Sequence, residues 1–95
     1  MIYSVSSELY EEVKCRLLEA IADRNYFSGH VAFNFEGWEC RLVVSCFVYR
    51  REERYPEGTT HPIGDLVPVW WEFHTADSDA ERLNDFSFST LRTLL

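Results

Sequence analysis

Ninety-five residues, sixteen Asp plus Glu against nine Lys plus Arg, and 46% apolar residues describe a small, acidic, folded chain of net charge −7. The apolar fraction is too high and the charge too modest for a disordered chain, and this length supports one core, so residues 1–95 are expected to form a single domain. Phosphate-backbone binding needs a clustered basic surface, but only Arg50, Arg51 and Arg54 cluster, among Glu52, Glu53 and Glu57, so no nucleic-acid partner is expected.

The first element is a helix. Ser6 and Ser7 are good N-caps, and Glu8, Glu11 and Glu12 complement the helix dipole in the first turns. Leu9, Val13, Leu17, Ala20 and Ile21 recur at helical spacing with Tyr10 and Leu18 flanking them. This stripe predicts an amphipathic helix over 7–24 that covers one face of a sheet. Glu12 and Arg16 stand at i,i+4 on its wet side.

After Asn25 the period changes to two. Val31, Phe33 and Phe35 alternate with His30, Ala32 and Asn34; beyond Glu36-Gly37, Trp38, Cys40, Leu42, Val44, Cys46 and Val48 alternate with Glu39, Arg41, Val43, Ser45, Phe47 and Tyr49. A two-residue loop at Glu36-Gly37 sets Phe35 opposite Trp38, Phe33 opposite Cys40 and Val31 opposite Leu42, all on one face. Asn34 then faces Glu39, and Ala32 faces Arg41, on the other. Slipping by one residue would mix the two sets, so the pattern specifies the pairing. Glu is less natural than Asn or Asp at the first loop position, a slightly longer loop being the alternative.

Residues 50–66 read as a long, mobile loop punctuated by Pro56, Gly58, Pro62 and Gly64, whose first part extends the strand. Leu66 to Thr75 reads as a third strand, with Val67, Val69, Trp71 and Phe73 on one face and Trp70, Glu72 and His74 on the other. Pro68 lacks an amide donor, so this strand begins there or lies at an edge. Ala76-Asp77-Ser78-Asp79 is a turn. In the last segment Phe86 and Phe88 alternate as in a strand, yet Phe88, Leu91 and Leu95, at i, i+3 and i+7, predict a short C-terminal helix from about 87. The fold class is therefore α+β: an N-terminal helix packed on an antiparallel sheet of at least three strands, with a short C-terminal helix.

Three cysteines without CxxC spacing, Cys15, Cys40 and Cys46, argue against a disulfide framework and for a reducing compartment. The N-terminus has no signal-peptide pattern, and the apolar runs fall far short of the ~20 residues that span a bilayer. The expectation is a cytoplasmic protein with no membrane partner.

Motifs that carry chemistry are sparse. Asp77-x-Asp79-x-Glu81 opens like a calcium loop, yet Arg82 and Phe88 stand where that loop needs Gly and Glu, leaving an acidic turn. Cys40 and Cys46 share a strand face but lie six residues apart, roughly 20 Å at strand rise; both read as small buried hydrophobes. His30 and His74 project from the outer sheet face without a third ligand. No GxSxG turn and no glycine-rich phosphate cradle is present, so neither a cofactor nor a catalytic set is expected.

The second face of the sheet stands out. In the register above it carries Tyr26, Val43, Phe47, Tyr49 and Trp70 beside His30, Glu72 and His74. One helix cannot cover both faces. Three readings follow: the C-terminal helix shields this side through Phe86, Phe88, Leu91 and Leu95; a second copy or another protein covers it; or it forms a ligand groove against Trp70 and His74.

The order helix, three strands, helix resembles that of the double-stranded-RNA-binding domain. That resemblance implies RNA docking through basic residues at the start of the last helix. Asn84-Asp85-Phe86-Ser87 stand there instead, which removes the implied function.

The residues therefore point to a non-enzymatic interaction module whose partner is itself or another protein, self-associating through the second face. One alternative is an acidic inhibitor or nucleic-acid mimic that competes for a basic partner, since residues 61–95 hold six acids and two bases. Another is a small-molecule binder or enzyme using His30, His74, Glu72 and Trp70.

Overall fold

The computed structural model describes residues 2–95. Helix α1 (Ser7–Ile21) is followed by strands β1 (Tyr26–Phe35) and β2 (Trp38–Arg50), a small pair β3 (Glu53–Tyr55) and β4 (Gly58–Thr60), strand β5 (Ile63–Ala76), the two-residue β6 (Glu81–Arg82) and helix α2 (Phe88–Arg92). The sheet runs β1-β2-β5-β6 and its pairs are all antiparallel. The fold is α+β as expected. Among the described residues no helix is long and apolar enough to cross a membrane.

Helix α1 begins where its cap stands: the Ser6 hydroxyl accepts the Leu9 N–H at 3.2 Å. It ends at Ile21, three residues before the expected stop, because Ala22 turns to φ 54°. The Arg50 guanidinium then donates to the carbonyls of Ala22 (2.8 Å) and Arg24 (2.9 Å), and to that of His61 (3.1 Å). One side chain thus ties the helix exit to the base of the β3–β4 pair.

The β1–β2 hairpin has the predicted register at every pair, from Tyr26 opposite Phe47 to Phe35 opposite Trp38. Glu36 (φ 51°) and Gly37 (φ 84°) form the two-residue loop, with the left-handed dihedrals of a type I′ turn. Cys40, Leu42, Val44, Cys46 and Val48 of β2 are buried, and Leu9, Val13, Leu17 and Ile21 of α1 join them in one core cluster.

Three expectations are corrected. Residues 50–66 are not a long loop: β3 and β4 pair as an exposed arm, Tyr55 opposite Gly58 around Pro56-Glu57, and β5 already starts at Ile63. Neither face of this arm is buried, so it carries no apolar alternation for the sequence to reveal. It leaves the molecule 52 Å long and only 24 × 18 Å across.

The second correction concerns the parity of β5. Cys46 pairs with Pro68 and Ser45 with Trp70, so Val69 is an extra, bulged residue, 64% exposed. The bulge reverses the alternation before it. Leu66 is buried against Val48, and Val67 stands on the outer face opposite Phe47. Pro68 lies within an edge strand, since β6 pairs only with Thr75 and Ala76.

The third concerns the C-terminus, which packs beside α1 rather than over the second face. Phe86 stacks on Phe73 (ring centroids 4.3 Å) and Tyr10 (5.1 Å), and Phe88 lies 6.3 Å from Trp71. The Ser87 N–H donates to the Tyr10 hydroxyl at 3.0 Å. These rings require the side of the sheet that α1 already covers.

Replacing Glu36 by Asn, which tolerates left-handed dihedrals, should stabilise the fold by ~1 kcal/mol. A higher urea midpoint at unchanged slope is the expected reading.

Candidate functional site

With both helices on one side, the other side of β1, β2 and β5 is uncovered. Alternation sends Tyr26, Ser28, His30, Ala32 and Asn34 of β1 outward, and Glu39, Arg41, Val43, Ser45, Phe47 and Tyr49 of β2 with them. From β5 come Val67, Trp70, Glu72 and His74. All eight residues singled out on the sequence, Tyr26, His30, Val43, Phe47, Tyr49, Trp70, Glu72 and His74, therefore share this face.

The face divides along the strands. At the end nearest the arm, Tyr26, Phe47 and Val67 form one row across the sheet, and Ser28, Ser45 and Trp70 the next. The Tyr26 and Phe47 rings meet edge-on at 5.0 Å. Tyr26, Phe47, Tyr49 and Trp70 remain 44–56% exposed, a grouping of large rings that folded chains normally bury or present to a partner. At this end the Ser28 and Ser45 hydroxyls share a 2.8 Å hydrogen bond, and Asp65, opposite Tyr49, pairs with Arg92.

The far end is charged. His74 sits between Glu72 (Nε2–Oε2 3.0 Å) and Glu81 (Nδ1–Oε1 2.8 Å), with Arg41 opposite it on β2. A shallow groove of about 490 Å³ crosses this end, lined by Asn34, Glu39, Arg41, His74 and Glu81 among others. The fold brings His74 and Glu72 together but separates them from the other two members of the expected ligand set. His30 lies two strands and one row from His74, about 12 Å at sheet spacings, and Trp70 does not line the groove. Both imidazole nitrogens already face the protein's own carboxylates.

Elsewhere two of the three thiols are withdrawn, while Cys15 is exposed on α1. Burial pushes the Cys40 thiol up to about 11 and raises that of Cys46, so both stay protonated. Among the described residues no three His, Cys, Asp or Glu side chains converge as a metal-ligand set. Asp77 spends its carboxylate on a turn: it accepts from the Asp79 and Ala80 amides and from Arg82 Nε, all at 2.9–3.0 Å. That is the acidic turn expected from the failed calcium motif.

Sequence reasoning missed four participants. Val67 is hidden by the Val69 bulge, and the Ser28–Ser45 pair looks like ordinary strand polarity. Glu81 arrives on β6, which is too short to leave a periodic trace. Comparison with protein-family models, curated proteins and solved structures found no match.

Two carboxylates give the fold an acid limit. Hydrogen bonds from Arg92 hold Asp65 below its ordinary 3.8, and the Ala80 amide, Arg82 and the Asp79 amide hold Asp77 at about 2. Depressed folded-state values add stability that is present above 3.8 and lost as pH falls toward 2. The thermal midpoint should drop through that window, and Asp77→Asn should flatten the drop.

Proposed function

We propose that this chain is a non-enzymatic protein-interaction module that holds a partner protein against the arm-proximal end of its outer sheet face. The observation that carries the reading is the exposure of Tyr26, Phe47, Tyr49 and Trp70 side by side on a face that no element of the fold covers. Large rings on a rigid sheet lose little conformational entropy on binding and contribute most of the affinity at protein interfaces. The charged end, with Glu39, Arg41, Glu72 and Glu81, supplies a polar rim that fixes orientation.

This reading is favoured over an acidic mimic because, among the described residues, five of the six C-terminal acids have partners within the fold, Asp79 being the exception. Asp65 pairs with Arg92, Asp77 with Arg82, and Glu72 and Glu81 with His74, while Asp85 accepts from Val5 N–H at 2.7 Å. A mimic needs free carboxylates. It is favoured over an enzyme because the histidines lack a shared cavity with Trp70.

Phe47→Glu combined with Trp70→Glu tests the proposal. Both positions are exposed, so stability should change by no more than about 0.5 kcal/mol per site. Proteins captured from the native source by the immobilised wild-type chain should be lost with the folded double variant. Unchanged capture, or none by wild type, would overturn the reading.

A further inference from the structure

The two long edges of the sheet are built differently. The β5 edge carries Pro68, the Val69 bulge and a second register shift at Gly64, and β6 caps its C-terminal end. Its Asp65 is also held by Arg92 through two hydrogen bonds of 2.9 and 2.7 Å. Proline, bulges and charge are the devices that keep an edge from pairing with another chain. The β1 edge has none of them: Tyr26–Phe35 is ten residues without a bulge, a proline, or any Asp, Glu, Lys or Arg.

The phase of the ladder says which β1 groups are free. The Val48 N–H donates to the Asn25 carbonyl at 2.9 Å, so Asn25 and, by alternation, Phe27, Gly29, Val31, Phe33 and Phe35 direct their backbone groups toward β2. The N–H and C=O of Tyr26, Ser28, His30, Ala32 and Asn34 therefore point out along the edge. Among the described residues none of them has a protein hydrogen-bond partner outside the strand pairing.

We propose that this edge pairs antiparallel with the same edge of a second copy, joining two four-stranded sheets into one continuous sheet. A two-fold axis at His30 sets Tyr26 against Asn34, Ser28 against Ala32 and His30 against its own counterpart. Each of these is a hydrogen-bonded pair, so the seam holds ten backbone bonds, the number a standard interface carries at about ten. Between them Phe27 stands opposite Phe33 and Gly29 opposite Val31 on the inner side; Phe27 and Phe33 are already buried in the single copy, with Phe27 lying over Gly29 and Arg16 over Phe33, so the backbone ladder rather than ring contact supplies the seam. On the outer side small Ser28 and Ala32 face one another.

The occupant is a second copy because the strand matches itself about His30: with the even-numbered backbone groups free, all five outward positions find partners in an identical strand and no charged side chain of β1 meets another. Two chains of net charge −7 repel, and an uncharged strand is where they can meet at close range. The joined sheet also sets the two outer faces side by side, so this inference extends the interaction reading without depending on it.

Light scattering and sedimentation of the wild-type protein at micromolar concentration should give twice the monomer mass of 11.2 kDa. Ala32→Pro removes only an outward amide, which proline tolerates at an edge, and its loss on both copies should weaken association at least roughly tenfold. His30→Asp, which places two carboxylates opposite each other at the axis, gives the same reading if the proline variant fails to fold. Amide exchange should slow with concentration at Tyr26, Ser28, His30, Ala32 and Asn34 and not at their odd-numbered neighbours. Phe47→Glu should leave the dimer intact. A wild-type monomer at 100-micromolar order, edge amides protected only by a foreign captured chain, or a dimer broken by Phe47→Glu but not by Ala32→Pro or His30→Asp would each overturn the proposal.

Discussion

The rest of the structure depends on the alternation of β2. Its even-numbered side chains, Cys40 to Val48, are all at most 6% exposed, and β2 is the strand that both β1 and β5 hydrogen-bond. In an antiparallel pair, residues directly opposite share a face. Burying the even face of β2 therefore fixes the inner faces of both neighbours: Phe27 and Phe33 on one side, Leu66, Phe73 and Thr75 on the other. Each large side chain so buried contributes roughly 1.5–3 kcal/mol, which makes a one-residue slip of any strand prohibitive. Even the buried polar residue obeys the constraint, since Thr75 donates to the Arg82 carbonyl at 3.0 Å and so tethers β6.

The same constraint decides where the helices go. The apolar stripe of α1 and the rings of Phe86 and Phe88 seek the inner face because the rings and aliphatic groups that complement them are already there. Tyr10 joins the two helical segments, stacking on Phe86 and accepting the Ser87 amide. The N-terminal segment closes the layer from the opposite direction, with Tyr3 N–H donating to the Leu83 carbonyl and its ring 4.3 Å from Trp38. A two-layer arrangement results, with apolar cover on one side only. The outer face is thus uncovered as a consequence of how well the inner one is filled.

Where the sequence is regular, its structure is legible residue by residue. The β1–β2 register could be read because positions 30–35 and 38–49 alternate and the loop between the strands has only two residues, which ties the pairing to the turn. The eight outer-face residues follow from that parity. What stayed hidden has a common physical cause: it depends on local breaks in periodicity or on contacts distant in sequence. The Val69 bulge flips Val67 outward without any compositional mark beyond the neighbouring Pro68. The arm has no buried side for hydrophobicity to label. The side taken by the C-terminal helix rests on Phe86 meeting Tyr10, far away along the chain, and Phe86, Phe88 and Leu91 would have been equally apolar against either face.

These breaks also arrange the surface. The Val69 bulge brings Val67 beside Phe47, adding an apolar row to the ring cluster, and the strand twist that accompanies a bulge makes the β5 edge a poor template for pairing. The Gly64 shift lies beside the Arg50 clamp, so the arm departs from the same end at which the rings gather. On the outer face itself the charged side chains His74, Glu72, Glu81 and Arg41 gather at the opposite end. A chain with net charge −7 has thus kept the row of Tyr26, Phe47 and Val67 and its open β1 edge free of carboxylates. Since repulsion between acidic surfaces acts against any close approach, those two neighbouring regions are the ones on which contact costs least, and Tyr26 belongs to both.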